Sequence, residues 1–399
     1  MRTQDARPSE ALWADANAPK QDHHDADGIS PPVSRNGRSI VRPGLTRMDG
    51  VIPEAWSGNE NPGALSGGRE HPSGCRCADG SIVGQPGSAA PRLGPRFDAA
   101  VPPGGYLWWY CDAISDDRRH ALTLIAFVGS VFSPYYAWSG RHDPLNHCAV
   151  NIALYGSPGA RWAMTERGKH AVRRSERRLQ IGPSALQWQG GTLKIDIDEI
   201  GAPVPRHVRG TIRLTPSMFT AQSFVLDKSG NHIWQPIAPM AHIEVAFDRP
   251  QLRWSGTAYL DSNFGAEPLE AGFRNWSWSR AHLERDAVVH YDAVRSDGSE
   301  GSLALRFTPD GGVLAEEPLP RAKLKTTGWR IAREIRADEK CKAEVRKTLE
   351  NTPFYARSLV ETRLYGEPAI AFHESLSLDR VASPAIRAML PFRMLRRFV

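Results

Sequence analysis

From Tyr106 onward the chain is written in short runs that are apolar or alternate between apolar and polar residues. Tyr106 to Cys111, Ala121 to Phe132, His147 to Tyr155, Leu193 to Ile197, Val208 to Leu214, Leu252 to Leu260 and Ala287 to Ala293 are examples. Between runs stand Gly190-Gly191, Ser229-Gly230-Asn231, Asp297-Gly298 and Asp310-Gly311-Gly312, residues that tolerate the backbone of tight turns. Side chains of a strand alternate faces, so this texture predicts antiparallel β structure, as barrels or sandwiches. One helix is predicted near residues 338–350, where Asp338 to Leu349 has high helix propensity and Pro353 follows. Tyr355 to Leu364 and Ala369 to Leu376, joined through Gly366-Glu367-Pro368, read as a closing hairpin.

Residues 1–95 lack this pattern. They are rich in Pro, Gly, Ser, Asp and Arg, and their apolar residues stand singly, as Leu12, Trp13, Val51 and Ile52 do. Such a segment cannot offset about 1–2 kcal/mol of backbone entropy per residue, which predicts a disordered extension. The remainder suits two β domains, 96–245 and 246–380, with the boundary near Asp248-Arg249-Pro250, followed by a basic, apolar tail over 381–399. No strict internal repeat is visible.

Composition narrows the class. The net charge is +6, but both signs are scattered, and the densest basic patch (Arg173, Arg174, Arg177, Arg178, interrupted by Glu176) reads as a solvated turn rather than a nucleic-acid surface. The five cysteines (Cys75, Cys77, Cys111, Cys148, Cys341) give neither a disulfide framework nor a zinc site, which predicts a reducing, cytosolic compartment. The first thirty residues show no apolar signal core, and Ala121 to Phe132 is too short to span a bilayer. Ile386 to Val399 mixes Leu, Met and Phe with four arginines, as an interfacial anchor does. A frayed tail or a strap over a barrel mouth fits the same residues.

Signatures of nucleotide binding, of a serine nucleophile elbow and of a zinc hydrolase are missing, which lowers the weight of nucleotide and metal-hydrolase readings. His23-His24-Asp25, His142-Asp143 and His373-Glu374 read as surface or core decoration. Aromatic residues are abundant instead, with twelve Trp, in clusters such as Trp108-Trp109-Tyr110 and Trp276-Ser277-Trp278. Core packing, carbohydrate binding and a tunnel for a long apolar ligand all remain open readings. Two pairs at strand spacing, His232 with Trp234 and Tyr259 with Asp261, would each aim a polar group and a ring at one side. On alternation, Arg253, Ser255, Thr257, Tyr259 and Asp261 share a face that can equally be solvent-exposed, with Asp261 opening a turn.

Longer motifs resolve the choice. Val101-Pro-Pro-Gly-Gly-Tyr-Leu-Trp-Trp-Tyr110, Ile125-Ala-Phe-Val-Gly-Ser-Val-Phe-Ser-Pro-Tyr-Tyr-Ala-Trp138, Asn146-His-Cys-Ala-Val-Asn-Ile-Ala-Leu-Tyr155, Ile181-Gly-Pro-Ser-Ala-Leu186, Thr352-Pro-Phe-Tyr-Ala-Arg357 and Met389-Leu-Pro-Phe-Arg393 closely resemble the acyclic carotenoid 1,2-hydratases, or hydroxyneurosporene synthases, of photosynthetic bacteria. The resemblance covers about residue 97 to the end. It implies two lipocalin-like (calycin-type) antiparallel β-barrels and a cofactor-independent addition of water to the terminal 1,2 double bond of neurosporene or lycopene, giving a tertiary alcohol at C1. It implies active-site roles for His232, Trp234, Tyr259 and Asp261.

Water does not attack an unactivated alkene, so Asp261 is expected to protonate C2 and leave a tertiary cation at C1. Tyr259 or His232 would orient Asp261, His232 would take the proton of the incoming water, and Trp234 would face the cation, with Trp276 and Trp278 as weaker tunnel positions. A carotene is about as long as the 30 Å hydrocarbon core of a bilayer. The expectation is therefore a tunnel opening at the membrane surface and a peripheral location on the cytoplasmic side of the photosynthetic membrane. A non-enzymatic carotenoid or lipid carrier is the rival reading.

Overall fold

The computed structural model describes residues 94–397. The disordered extension expected over residues 1–95 therefore lies, up to residue 93, outside the described residues, as do Cys75, Cys77 and His23-His24-Asp25.

Most of the described chain is strand, arranged as a 13-stranded sheet, a seven-stranded sheet and a two-stranded ribbon of Arg321–Leu324 with Arg333–Arg336. In the large sheet, Arg161–Arg167, Cys148–Tyr155, Ala121–Val128, Tyr106–Ser115, Gln251–Gly265, His232–Arg249 and His207–Pro216 lie side by side in that order, and shorter strands complete it. The seven-stranded sheet is centred on Phe273–His282, with Ala287–Arg295 on one side and Glu367–Ser377 and Tyr355–Leu364 on the other. The edge strands of neither sheet pair with each other, so the two closed barrels expected from the sequence are curled, open sheets.

The expected boundary near Asp248-Arg249-Pro250 is instead the turn of a long hairpin inside the large sheet, where Asp248 pairs with Gln251. The change of sheet comes later, between Gly265 and Phe273. A local cluster of turn residues marks a reversal of the chain, and only pairing partners decide whether the chain also changes sheet.

The helix expected near 338–350 is absent. Glu344–Asn351 is a strand whose residues alternate between exposed and half-buried, and it forms the edge of the seven-stranded sheet against Tyr355–Leu364. Its Lys and Glu residues carry helix propensity, but charged side chains also suit an edge strand, where they deter further pairing. Tertiary pairing wins over a propensity of at most a few tenths of a kcal/mol per residue. The closing hairpin is present, with a two-residue turn at Tyr365 and Gly366, both at positive φ.

Tyr106–Ser115 shows how the core is divided. All ten residues are buried, yet the strand serves two different interiors. Leu107, Trp109, Cys111 and Ala113 belong to the core inside the large sheet. Tyr106, Trp108 and Tyr110 belong to a second, aromatic-rich core shared with Trp276, Trp278 and Tyr291 of the other sheet. The alternation of aliphatic and aromatic residues in this strand is thus an alternation between two cores.

The described residues of the tail form regular elements. Pro384–Met389 is a short helix, and Leu395–Arg397 adds a parallel strand to Arg161–Arg167 at the edge of the large sheet. Arg387 donates to Glu270 Oε1 at 2.6 Å, Arg393 stacks 4.1 Å from the Trp162 ring centroid, and Arg396 pairs with Glu166. These contacts make the segment a strap. The Arg173 to Arg178 patch is only partly a solvated turn, since Arg174 donates to the carbonyls of Phe97 and Ala99 and fastens the entry to the first strand.

Candidate active site

The strand Gln251–Gly265 carries the central residue. Arg253, Ser255 and Thr257 are exposed, whereas Tyr259 and Asp261 on the same face are buried. The polar face therefore points to solvent in its first half and under the seven-stranded sheet in its second. Gly256 and Ala258 turn the other way, with Ala258 in the aliphatic core.

The neighbouring strand aligns Trp234 with Asn263 and His232 with Gly265. Trp234 Nε1 donates to Asp261 Oδ2 at 2.8 Å, and Tyr259 Oη donates to the same oxygen at 2.9 Å. Asp261 Oδ1 is buried and has no hydrogen-bond partner. Burial, opposed only in part by these two donors, pushes the Asp261 carboxyl up to about 8. Because Oδ2 already accepts two hydrogen bonds, the acid proton belongs on Oδ1.

His232 is not part of this group. Its partner Gly265 lies four positions from Asp261, or about 13 Å along the strand at 3.3 Å per residue. His232 Nδ1 instead meets Tyr106 Oη at 2.9 Å, Nε2 lies 3.3 Å from Glu267 Oε1, and the ring packs on Phe273. Burial lowers the imidazole's pKa, against the pull of Asp227 and Glu267. Asp227, His232 and Glu267 bring ligand atoms within 4.8 Å of one another. Asp227, however, is already committed to the backbone N–H groups of Ser229, Asn231 and His232. Two glycines make the arrangement possible: a Cβ on Gly265 would lie 2.1 Å from the Tyr106 ring, and one on Gly272 would lie 2.3 Å from His232 Nε2.

Two adjacent spaces lie near Asp261. A cavity of about 480 Å³ runs between the sheets, lined largely by Ile125, Phe127, Phe132, Trp162, Leu376 and other apolar groups, with Met389, Leu390, Phe392 and Met394 of the strap at its rim. A smaller space of about 40 Å³ is bounded by Asp261, Asn263, Tyr291, Trp278, Trp108, Tyr110, Trp276 and Glu374. The last four also line the large cavity, so the two spaces lie on either side of these side chains and Asp261 borders the smaller one. The weaker guesses Trp276 and Trp278 are here, with the Trp278 ring tilted against Tyr259 at 5.2 Å and edge-on to Tyr110 at 5.6 Å. His232, Trp234 and Tyr259 line neither space.

Sequence reasoning missed Tyr110, Asn263, Tyr291 and Glu374 as site residues. Trp108 and Tyr110 were legible as same-face neighbours in an aromatic strand. Glu374 belongs to a pair that read as decoration: His373 is indeed core, its Nε2 2.8 Å from the Glu334 carbonyl oxygen, while Glu374 faces the cavity.

A largely apolar cavity beside a buried carboxyl whose pKa is pushed well above the usual carboxylate range fits a protein that handles a hydrophobic ligand. Residues 124–399 match the family described as carotenoid hydratase CrtC. An acyclic carotenoid 1,2-hydratase of Thiocapsa roseopersicina is 53% identical over 392 residues, covering 97% of each chain. One of Rubrivivax gelatinosus is 49% identical, covering 94% of this chain and 93% of its own. The chain belongs to the carotenoid hydratase family, and it is an enzyme of the hydro-lyase class. Among solved structures, an AttH protein of Nitrosomonas europaea superposes with a TM-score of 0.50 at 14% identity, covering 71% of this chain and 99% of its own, a likeness of fold.

Proposed function

We propose that the enzyme hydrates the terminal 1,2 double bond of acyclic carotenes such as neurosporene and lycopene, with Asp261 as the acid. The observation that carries this reading is the Asp261 carboxyl, with Oδ2 held by Trp234 and Tyr259 and Oδ1 without a partner among the described residues, in a small space that adjoins an apolar cavity. The Oδ1 proton passes to C2, and a tertiary cation forms at C1. Trp108 and Trp276 line the end of the apolar cavity next to the small space, where that cation arises, each ring contributing about 0.5–2 kcal/mol by cation–π attraction. Trp234 acts through its N–H on Asp261, and Tyr259 acts likewise. His232, fixed on Tyr106 and Glu267, shapes the wall behind them. Hydration is redox-neutral, so a proton and a water complete it.

The test is incubation of the purified protein with lycopene micelles in ¹⁸O-labelled water, without oxygen or added cofactor. One labelled hydroxyl per hydrated end is expected. Binding of lycopene without any alcohol would instead mark a carrier.

We also propose that the cavity mouth docks on the cytoplasmic face of the photosynthetic membrane. No helix among the described residues is long and apolar enough to cross a bilayer. Around the mouth, however, Phe392 is 75% exposed, and Met389 and Trp329 are about half exposed, with Arg393 among the same lining residues. Exposed apolar groups with arginines suit an anionic lipid surface. Phe392→Ser is expected to lower partitioning onto anionic liposomes roughly 10- to 150-fold, the value of one buried aromatic side chain at 1.5–3 kcal/mol. Partitioning equal to the wild type refutes the docking.

A further inference from the structure

We propose that Glu374 is a second catalytic residue, which binds the attacking water in the small space beside Asp261 and takes its proton. The inference rests on the hydration reading above and supplies the base that His232 is too distant to be.

The first argument is space and polarity. A water occupies about 30 Å³ in the liquid and needs two to four polar partners when buried. The space of about 40 Å³ offers Asp261, Asn263, Tyr110, Tyr291 and Glu374 between three indole rings. It adjoins the apolar cavity, so a water there sits next to the end of a ligand that fills the cavity.

The second argument is the state of Glu374. Oε1 accepts from Tyr110 Oη at 2.7 Å and from Arg357 Nε at 2.9 Å, while Oε2 takes no hydrogen bond from the described residues. One oxygen fixes the side chain, and the other is available to a water.

The third argument is charge. Asp112 is paired with Arg280, and Glu374 and Glu350 share Arg357, all largely buried. Three carboxylates thus face two guanidinium groups, one negative charge in excess. Tyr110 Oη also lies 3.0 Å from Asp112 Oδ2. Its single proton can serve only one of its two carboxylate neighbours at a time. One further proton brings the formal charge of the cluster to zero.

The steps balance. The π pair of C1=C2 takes the Oδ1 proton of Asp261 to form the C2–H bond. A lone pair of the water then forms the C1–O bond, and the O–H bond breaks toward Glu374 Oε2. Asp261 is left as carboxylate and Glu374 as acid, and a proton returned through the next water restores both.

Wild-type enzyme and Glu374→Gln are incubated with lycopene in D₂O, and both the 1-hydroxy product and deuterium at C2 of recovered lycopene are measured. The cation still forms in the variant but is not captured, so it returns to alkene and leaves label. The expected result is hydration reduced by roughly 10²–10⁴, with the ratio of exchange to hydration raised at least tenfold. Hydration near the wild-type rate, or exchange and hydration reduced in the same proportion, overturns the proposal. If Glu374→Gln does not fold, Glu374→Asp is read by the same ratio, whose rise supports the base and whose constancy overturns it. Wild-type enzyme that makes no alcohol refutes the hydration reading itself, a separate result.

Discussion

Asp261→Asn is expected to abolish carotene hydration, by at least the roughly 10²–10⁴ that general acid catalysis contributes, while leaving lycopene binding intact. The amide oxygen can accept the bonds from Trp234 Nε1 and Tyr259 Oη that Oδ2 accepts now, so those two contacts survive the substitution. The variant gains stability at neutral pH. The folded carboxyl is raised to about 8, above its unfolded value near 3.9. The native state therefore holds a proton that the unfolded state releases. Stability from this group is complete below pH 4 and is lost progressively as pH rises to about 8, at about 1.4 kcal/mol per unit. Urea unfolding at pH 8 and pH 4 should show the variant stabilised relative to wild type at pH 8, with the difference shrinking toward pH 4. Wild-type turnover should fall tenfold per unit above pH 8, as the acid form disappears. A variant that retains hydration removes Asp261 from the mechanism.

Arg357→Met is expected to cost about 3–5 kcal/mol, the usual penalty for leaving buried partners of a charge unpaired. Arg357 is 2% exposed and ties the sheets together, donating to Thr123 and Tyr155 of the large sheet and to Glu350 and Glu374 of the other. Its planar fork also packs over the rings of Tyr355 and Tyr110. Methionine keeps the volume and abandons two carboxylates. Chemical denaturation should show the midpoint falling with little change in slope, and a loss under about 1 kcal/mol would mean that water replaces the guanidinium.

The strand texture was legible because alternation at period two and turn residues are local properties. The chain reads as mainly β, and the structure agrees from Tyr106 onward. The helix near 338–350 failed because Lys and Glu favour a helix and an edge strand alike, and only pairing with Tyr355–Leu364 distinguishes them. The barrel closure and the boundary at Asp248-Arg249-Pro250 failed for a related reason: local residues encode a reversal, not the strand it leads to. In the site, Tyr259 and Asp261 could be paired from spacing alone. His232 could not be separated from them, because the offset between two strands is set by their register.

The sequence by itself determined the β texture and the face shared by Tyr259 and Asp261, because both depend on residues a few positions apart, and its longer motifs marked the family. The tertiary structure alone decided that the polar face of Gln251–Gly265 is buried at one end and wet at the other. It also brought Trp234, from a strand 27 residues away, onto the oxygen that Tyr259 holds, and placed Glu374 across the cavity. A carboxyl becomes an acid at neutral pH only when its surroundings exclude water, and those surroundings come from a second sheet that no local pattern positions.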